Sequence, residues 1–135
     1  MSIKPILSVL FITSICACSS NSLEDYKEEG EGITRSIIKE IQFIQSREEL
    51  IVKTPRLKKL FHKLVEVIMA AQEFRDKHPG DSFALSNEGH QLSDALRAEL
   101  IRLFSIEGAR DIFEKTQQDS LYRLDAFLQK REKGG

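Results

Sequence analysis

Tryptophan is absent, and the chain has only two cysteines, Cys16 and Cys18, both within its first eighteen residues. Everything after them lacks a disulfide and must fold by packing alone. The aromatics are eight phenylalanines and two tyrosines, which suits a helical core better than a carbohydrate-stacking groove. No apolar run approaches the roughly 20 residues that a spanning helix needs. No stretch alternates apolar and polar residues, so strands are not expected. Phosphate-cradling loops are missing, because Gly30, Gly32 and Gly108 do not fall in a P-loop pattern, and neither Gly-x-Ser-x-Gly nor His-Glu-x-x-His occurs. With 20 basic and 21 acidic residues the formal charge is −1. That balance does not suggest a nucleic-acid binder.

What the chain does have begins at its N-terminus. Lys4 supplies a positive charge, and Ile6 to Ile15 then run almost entirely apolar, interrupted by Ser8, Thr13 and Ser14. The length fits the hydrophobic region of an export signal and is too short to span a bilayer. An ordinary cut after Ala17 would place Ile15 three residues before the new terminus, where a small residue is preferred. The sequence Ile15-Cys16-Ala17-Cys18 resembles instead the lipobox of bacterial lipoproteins: an aliphatic residue, a tolerant position, a small residue and a cysteine.

That resemblance implies that residues 1–17 are a cleaved lipoprotein signal. It further implies that the Cys18 thiol carries a diacylglycerol and that the new amino group is acylated as well, commonly by palmitate. It implies a protein held on the cell membrane or the outer membrane, with its domain outside the cytoplasm. Ser19, rather than the Asp of inner-membrane retention, follows the cysteine. Two or more buried chains make a stable anchor, whereas a single chain binds reversibly.

Residues 18–32 are expected to form the lipidated cysteine and an acidic tether. The stretch is polar, carries Glu24, Asp25, Glu28, Glu29 and Glu31, and contains two glycines near its end. Such a composition cannot bury enough surface to fold alone. Ser22 with Asp25 can cap a short helical turn. The acids would be repelled by an anionic membrane, keeping the domain off its surface.

Residues 33–135 read as one all-α domain, a small antiparallel bundle of about four helices. Ile33, Ile37, Ile41 and Ile44 recur at helical spacing and predict a first helix over about 33–52, with Gln45-Ser46-Arg47 the place for a break. Thr54-Pro55 predicts the start of a second helix, with Thr as cap and Pro at the first position. Its stripe runs from Leu57 to Phe74, and His78-Pro79-Gly80 ends it. Residues 81–85 predict a short connection. Ser86 or Asn87 caps a third helix, weakened at Gly89, with Leu92, Leu96, Leu100 and Leu103 on one face. Ser105 to Gly108 predicts a tight corner before a fourth helix that starts near Ala109.

Candidate chemistry is sparse. His62, Glu66 and Glu73 share one side of the second helix and offer a zinc-like donor set, but the spacing is generic. His78 and His90 flank a loop and are near each other only in sequence. No metal, cofactor or catalytic group is therefore assigned, and the protein is not expected to be an enzyme. The basic run Lys53, Arg56, Lys58, Lys59 and Lys63 is uninterrupted by acid. In the first turns of a helix such charges oppose the dipole; such a run usually reads as a solvated face, and Glu48 and Glu49 just upstream, the acidic tether, an anionic lipid head group or an acidic partner are the candidates to compensate it. The partners read from sequence are the membrane, through lipid on Cys18, and an envelope protein or a second copy of the chain, with no nucleic acid. The function expected is a non-catalytic helical interaction module; the alternative is a bundle binding a small ligand or metal, and more remotely a small hydrolase. Changing Cys18 to Ala should leave the protein soluble or as an uncleaved precursor. Membrane fractionation and intact mass decide this: an unchanged membrane fraction and a lipid-free mature mass would refute the lipid anchor.

Overall fold

The computed structural model describes residues 22–80 and 86–134. Cys18, the signal over 1–17 and the connection over 81–85 lie outside them. Four helices make up the described residues: α1 (Leu23–Ile41), α2 (Arg47–Lys77), α3 (Asn87–Phe104) and α4 (Ala109–Gly134). The all-α bundle expected from the sequence is the fold. None of these helices is long and apolar enough to cross a membrane.

The first helix begins ten residues before the expected start at Ile33. Ser22 accepts a hydrogen bond from the Asp25 backbone N–H at 3.2 Å, and the helix it caps runs for 19 residues rather than one turn. Leu23–Gly32 is therefore structured, not a tether, and Leu23 is buried. Packing overrides composition here. Tyr26 meets Phe74 of α2 edge-on at 5.8 Å, and the Glu24 and Glu31 side chains pair with Lys27 and Arg35.

The break also differs from the expected one at Pro55. α1 stops at Ile41, and Ser46 caps α2 by accepting from the Glu49 N–H at 3.2 Å, while the Glu49 carboxylate accepts from the Gln45 N–H at 3.2 Å. This reciprocal arrangement resembles a capping box. Leu50, Ile51 and Val52 thus open α2 instead of closing the first helix. Thr54 is no cap: its hydroxyl donates back to the Leu50 carbonyl at 3.1 Å, and the helix continues through Pro55. An interior proline costs about 3 kcal/mol. Leu50 and Leu57, both fully buried, lie on one stripe only if the helix is continuous, and burying each contributes about 1.5–3 kcal/mol.

Helices adjacent in sequence run antiparallel, as expected. α1 packs on α2, with Tyr26 on Phe74 near one end and Glu40 on Lys53 near the other. α4 lies along α2, with Phe113 on Phe61 and Arg131 on Asp76; these two helices are parallel. α3 packs chiefly on α1 and meets α4 only thinly. The core is Ile37, Ile41, Ile44, Leu50, Leu57, Leu60, Phe61, Leu103, Ala109 and Phe113. Phe113 holds Phe61 and Phe104 edge-on, at 5.4 and 5.6 Å.

Both tight corners lie at one end of the bundle. Gly108 turns the α3–α4 corner at φ +81°, and a Cβ there would sit 2.9 Å from the Arg47 side chain, so glycine suits both the backbone and the space. Across the other corner, Arg102 donates to the Ile41 carbonyl at 2.6 Å and the Ile44 carbonyl at 2.7 Å, and its third donor meets Glu99 at 2.9 Å. The α1 C-terminus is thereby capped by a residue 61 positions away. Arg102→Ala should lower stability by about 2 kcal/mol, since hydrogen bonds to a charged group contribute about 1.5–3 kcal/mol and this one is partly solvated. Arg102→Lys should recover less than half, having no fork to span two carbonyls. Urea unfolding measures both, and a loss below a few tenths of a kcal/mol would refute the clamp.

Candidate functional site

The basic run is where the sequence put it, but not at a helix start. Because α2 begins at Arg47, Lys53 to Lys63 lie beyond its first turn, which holds Glu48 and Glu49 instead. The expected conflict with the dipole is absent, and acids occupy the favourable end. Part of the compensation comes from α1. Glu40 accepts from Lys53 at 3.2 Å and stands 3.9 Å from Arg56. Lys58, Lys59 and Lys63 are exposed and have no ion pair among the described residues. Arg56, Lys59 and Lys63 fall within one helix quadrant by their spacing, and Lys58 lies apart from them.

The donor set on α2 is separated by its neighbours on α4. His62 Nδ1 lies 3.2 Å from the Ser120 hydroxyl, and Glu66 pairs with Arg123. Glu73 is exposed. Among the described residues no three His, Cys, Asp or Glu side chains converge as a metal site. His78 stacks on Phe74 at 4.1 Å, and its Nδ1 lies 3.0 Å from the Phe74 carbonyl. Ser120 is buried in the middle of α4, where the preceding turn occupies its own backbone N–H groups, so no oxyanion hole faces its hydroxyl.

Two features were not read from the sequence. The first is an apolar cleft between α3 and the rest of the bundle. Its outer part, about 310 Å³, lies between Tyr26, Gly30 and Glu31 of α1, Val67 and Ala71 of α2, and Leu92 of α3. An inner cavity of about 160 Å³ reaches Phe61, Leu100, Phe113 and Leu124. Leu64, Ile68 and Leu96 line both, so the two are adjacent. The outer part by itself is at the lower end of the usual range of ligand pockets. Lys27, Glu31, Thr34 and Ser93 are the polar members of its wall. The Glu31 side chain is 13% exposed, its nearest cation, Arg35, stands 3.9 Å away, and the shorter contact of Arg35 goes to Glu88. Oε2 of Glu31 is buried without a hydrogen-bond partner. Leaving such a group unmatched costs about 1–3 kcal/mol, and more when charged. Beside it, Lys27 is held by Glu24 at 3.1 Å, and this hydrogen bond raises its pKa above the ordinary lysine value.

The second feature is at the corner end. Phe43, Val52 and Ile101 are each about 70% exposed or more: 71%, 77% and 68%. Phe43 sits in the α1–α2 corner, Val52 in the second turn of α2, and Ile101 beside Arg102 near the end of α3. The 19 residues of α1 place this end roughly 28 Å from Leu23 at 1.5 Å per residue. The sequence hint lay in Phe43 and Ile101, which step off the isoleucine and leucine stripes. The cleft had a fainter hint: α3 carries a leucine every fourth residue and little else to widen that stripe.

No family model, characterised protein or solved structure matches the chain.

At the opposite end, α2 and α4 are tied by charge. Arg131 donates to both Asp76 oxygens, at 3.0 and 2.5 Å. This hydrogen bond holds the Asp76 carboxyl below its ordinary value. A depressed carboxyl contributes stability above its unfolded pKa and loses it as pH falls through the folded one. In an NMR titration Asp76 should protonate below the ordinary aspartate value of about 3.9, and Arg131→Gln should move its midpoint up. An unshifted midpoint in the wild type would refute the pairing in solution.

Proposed function

We propose that this is a lipid-anchored protein of a bacterial envelope, held by Cys18, whose bundle is a non-catalytic module that engages another envelope protein. The reading rests on the placement of exposed apolar and exposed basic groups. Phe43, Val52 and Ile101 project at the end of the bundle farthest from the start of α1. Arg56, Lys59 and Lys63 extend from Val52 along the outside of α2. Large exposed apolar side chains rimmed by charge are a feature of association surfaces.

The helix over Leu23–Gly32 sharpens this arrangement. Ser22 lies only four positions after Cys18, a reach of at most about 14 Å at 3.6 Å per residue. A lipid on Cys18 therefore keeps the start of α1 close to the bilayer, and an upright bundle carries the corner end away from it. The basic side chains are then better placed for an acidic protein surface than for the lipids of the anchoring membrane. The mode of action is binding and positioning, with affinity from the apolar side chains and orientation from the lysines.

In-cell photocrosslinking tests the proposal. A photoreactive residue replacing Phe43 or Val52 should give one discrete adduct, and Lys59→Glu with Lys63→Glu should reduce its yield at least several-fold. The same residue replacing Lys115, on α4, should not give that adduct. An adduct of twice the chain mass would identify a second copy as the partner. Absence of any adduct from Phe43 and Val52, with the protein at its normal level, would overturn the proposal.

A further inference from the structure

The cleft between α3 and the α1–α2 pair lies toward the end of α1 that Cys18 would anchor, away from the surface assigned to a protein partner. We infer that it is a binding site for a single-chain amphiphile with a primary ammonium head, the aliphatic chain lying in the cleft and the head on Glu31. Three observations carry this. The outer cleft and the inner cavity are adjacent and share Leu64, Ile68 and Leu96 as apolar walls. The inner part is lined almost wholly by aliphatic and phenyl side chains, with Gln117 and Ser120 as its polar members.

The carboxylate of Glu31 supplies the third. It lines the outer cleft, one of its oxygens is buried without a donor, and no cation approaches closer than Arg35 at 3.9 Å. Arg35 is engaged by Glu88 and Lys27 by Glu24, so the protein supplies no further donor to Glu31 among its near neighbours. An ammonium brings the hydrogen-bond donor that this oxygen lacks. A fatty acid would bring a second carboxylate into the same low-dielectric space, where like charges repel strongly. Gly30 leaves the entrance open, since a Cβ there would meet only Val67, at 3.8 Å.

The site is independent of the partner surface, so its test is separate. Full-length protein in membranes is labelled with dodecylamine carrying a diazirine near its methyl end, and modified peptides are mapped by mass spectrometry. Labelling should concentrate on residues 61–71 of α2 and 92–100 of α3. Unlabelled dodecylamine should compete at least ten-fold better than dodecanoate. Glu31→Gln should cut labelling at least five-fold, while Glu28→Gln, an exposed neighbour on the same helix, should leave it unchanged. Ala71→Leu narrows the cleft without touching the carboxylate and should also reduce labelling; circular dichroism of each variant checks that the fold is kept. Labelling spread along the whole chain, equal competition by dodecanoate, or a folded Glu31→Gln variant that labels like wild type would each overturn the inference.

Discussion

A helix ends with carbonyl groups that its own backbone cannot satisfy, and in this protein the end of α1 is answered from another hairpin. Arg102 reaches from α3 to the carbonyls of Ile41 and Ile44. That contact fixes the corner between α1 and α2 and brings α3 against the same end. Leu103, fully buried, follows it into the core, and the chain turns at Gly108 to place Ala109 and Phe113 beside Phe61. The four helices are thus gathered at one end by a guanidinium and a cluster of fully buried side chains.

Toward the other end the ties differ. α1 and α2 stay together through Tyr26 and Phe74, and α2 and α4 through Arg131 and Asp76. α3 follows α1 and parts from α4, since its apolar stripe is too narrow to cover two neighbours. The cleft follows from that divergence. A bundle pinned at one end and incompletely closed along its length has an apolar interior that is accessible without unfolding. Pinning also leaves Phe43 and Ile101 outside, because the positions nearest the core are filled by Ile41, Ile44 and Leu103.

The domain therefore divides its surface by distance from the proposed anchor. The end near Ser22 carries the cleft and a carboxylate oxygen buried without a hydrogen-bond partner. The corner end carries exposed apolar side chains and exposed lysines. This division depends on α1 being a straight, packed helix from Leu23 onward. A flexible tether over the same residues would leave the orientation of the bundle free.

Much of the fold was legible because its signals are local. Ser22, Ser86 and the corner over Ser105 to Gly108 are short-range punctuation, and the isoleucine and leucine stripes have helical period whatever they pack against. Thr54-Pro55 misled for the same reason: it is a strong local signal, overridden by the burial of Leu50 and Leu57 on one continuous face. The weaker signal at Ser46 to Glu49 was the operative one. Acidic composition likewise hid the first half of α1, whose stability comes from α2 and not from its own residues.

By itself, then, the sequence determined the helical class, the number of helices, most of the caps and the lipobox resemblance at Cys18, all of which depend on residues within a few positions of one another. Tertiary structure alone decided where α2 begins, that Glu40 would neutralise part of the basic run, that Ser120 and Arg123 would engage His62 and Glu66, and that α3 would leave a cleft with Glu31 on its wall. These depend on which faces meet across tens of residues, and a one-dimensional pattern records the period of a face but not its partner.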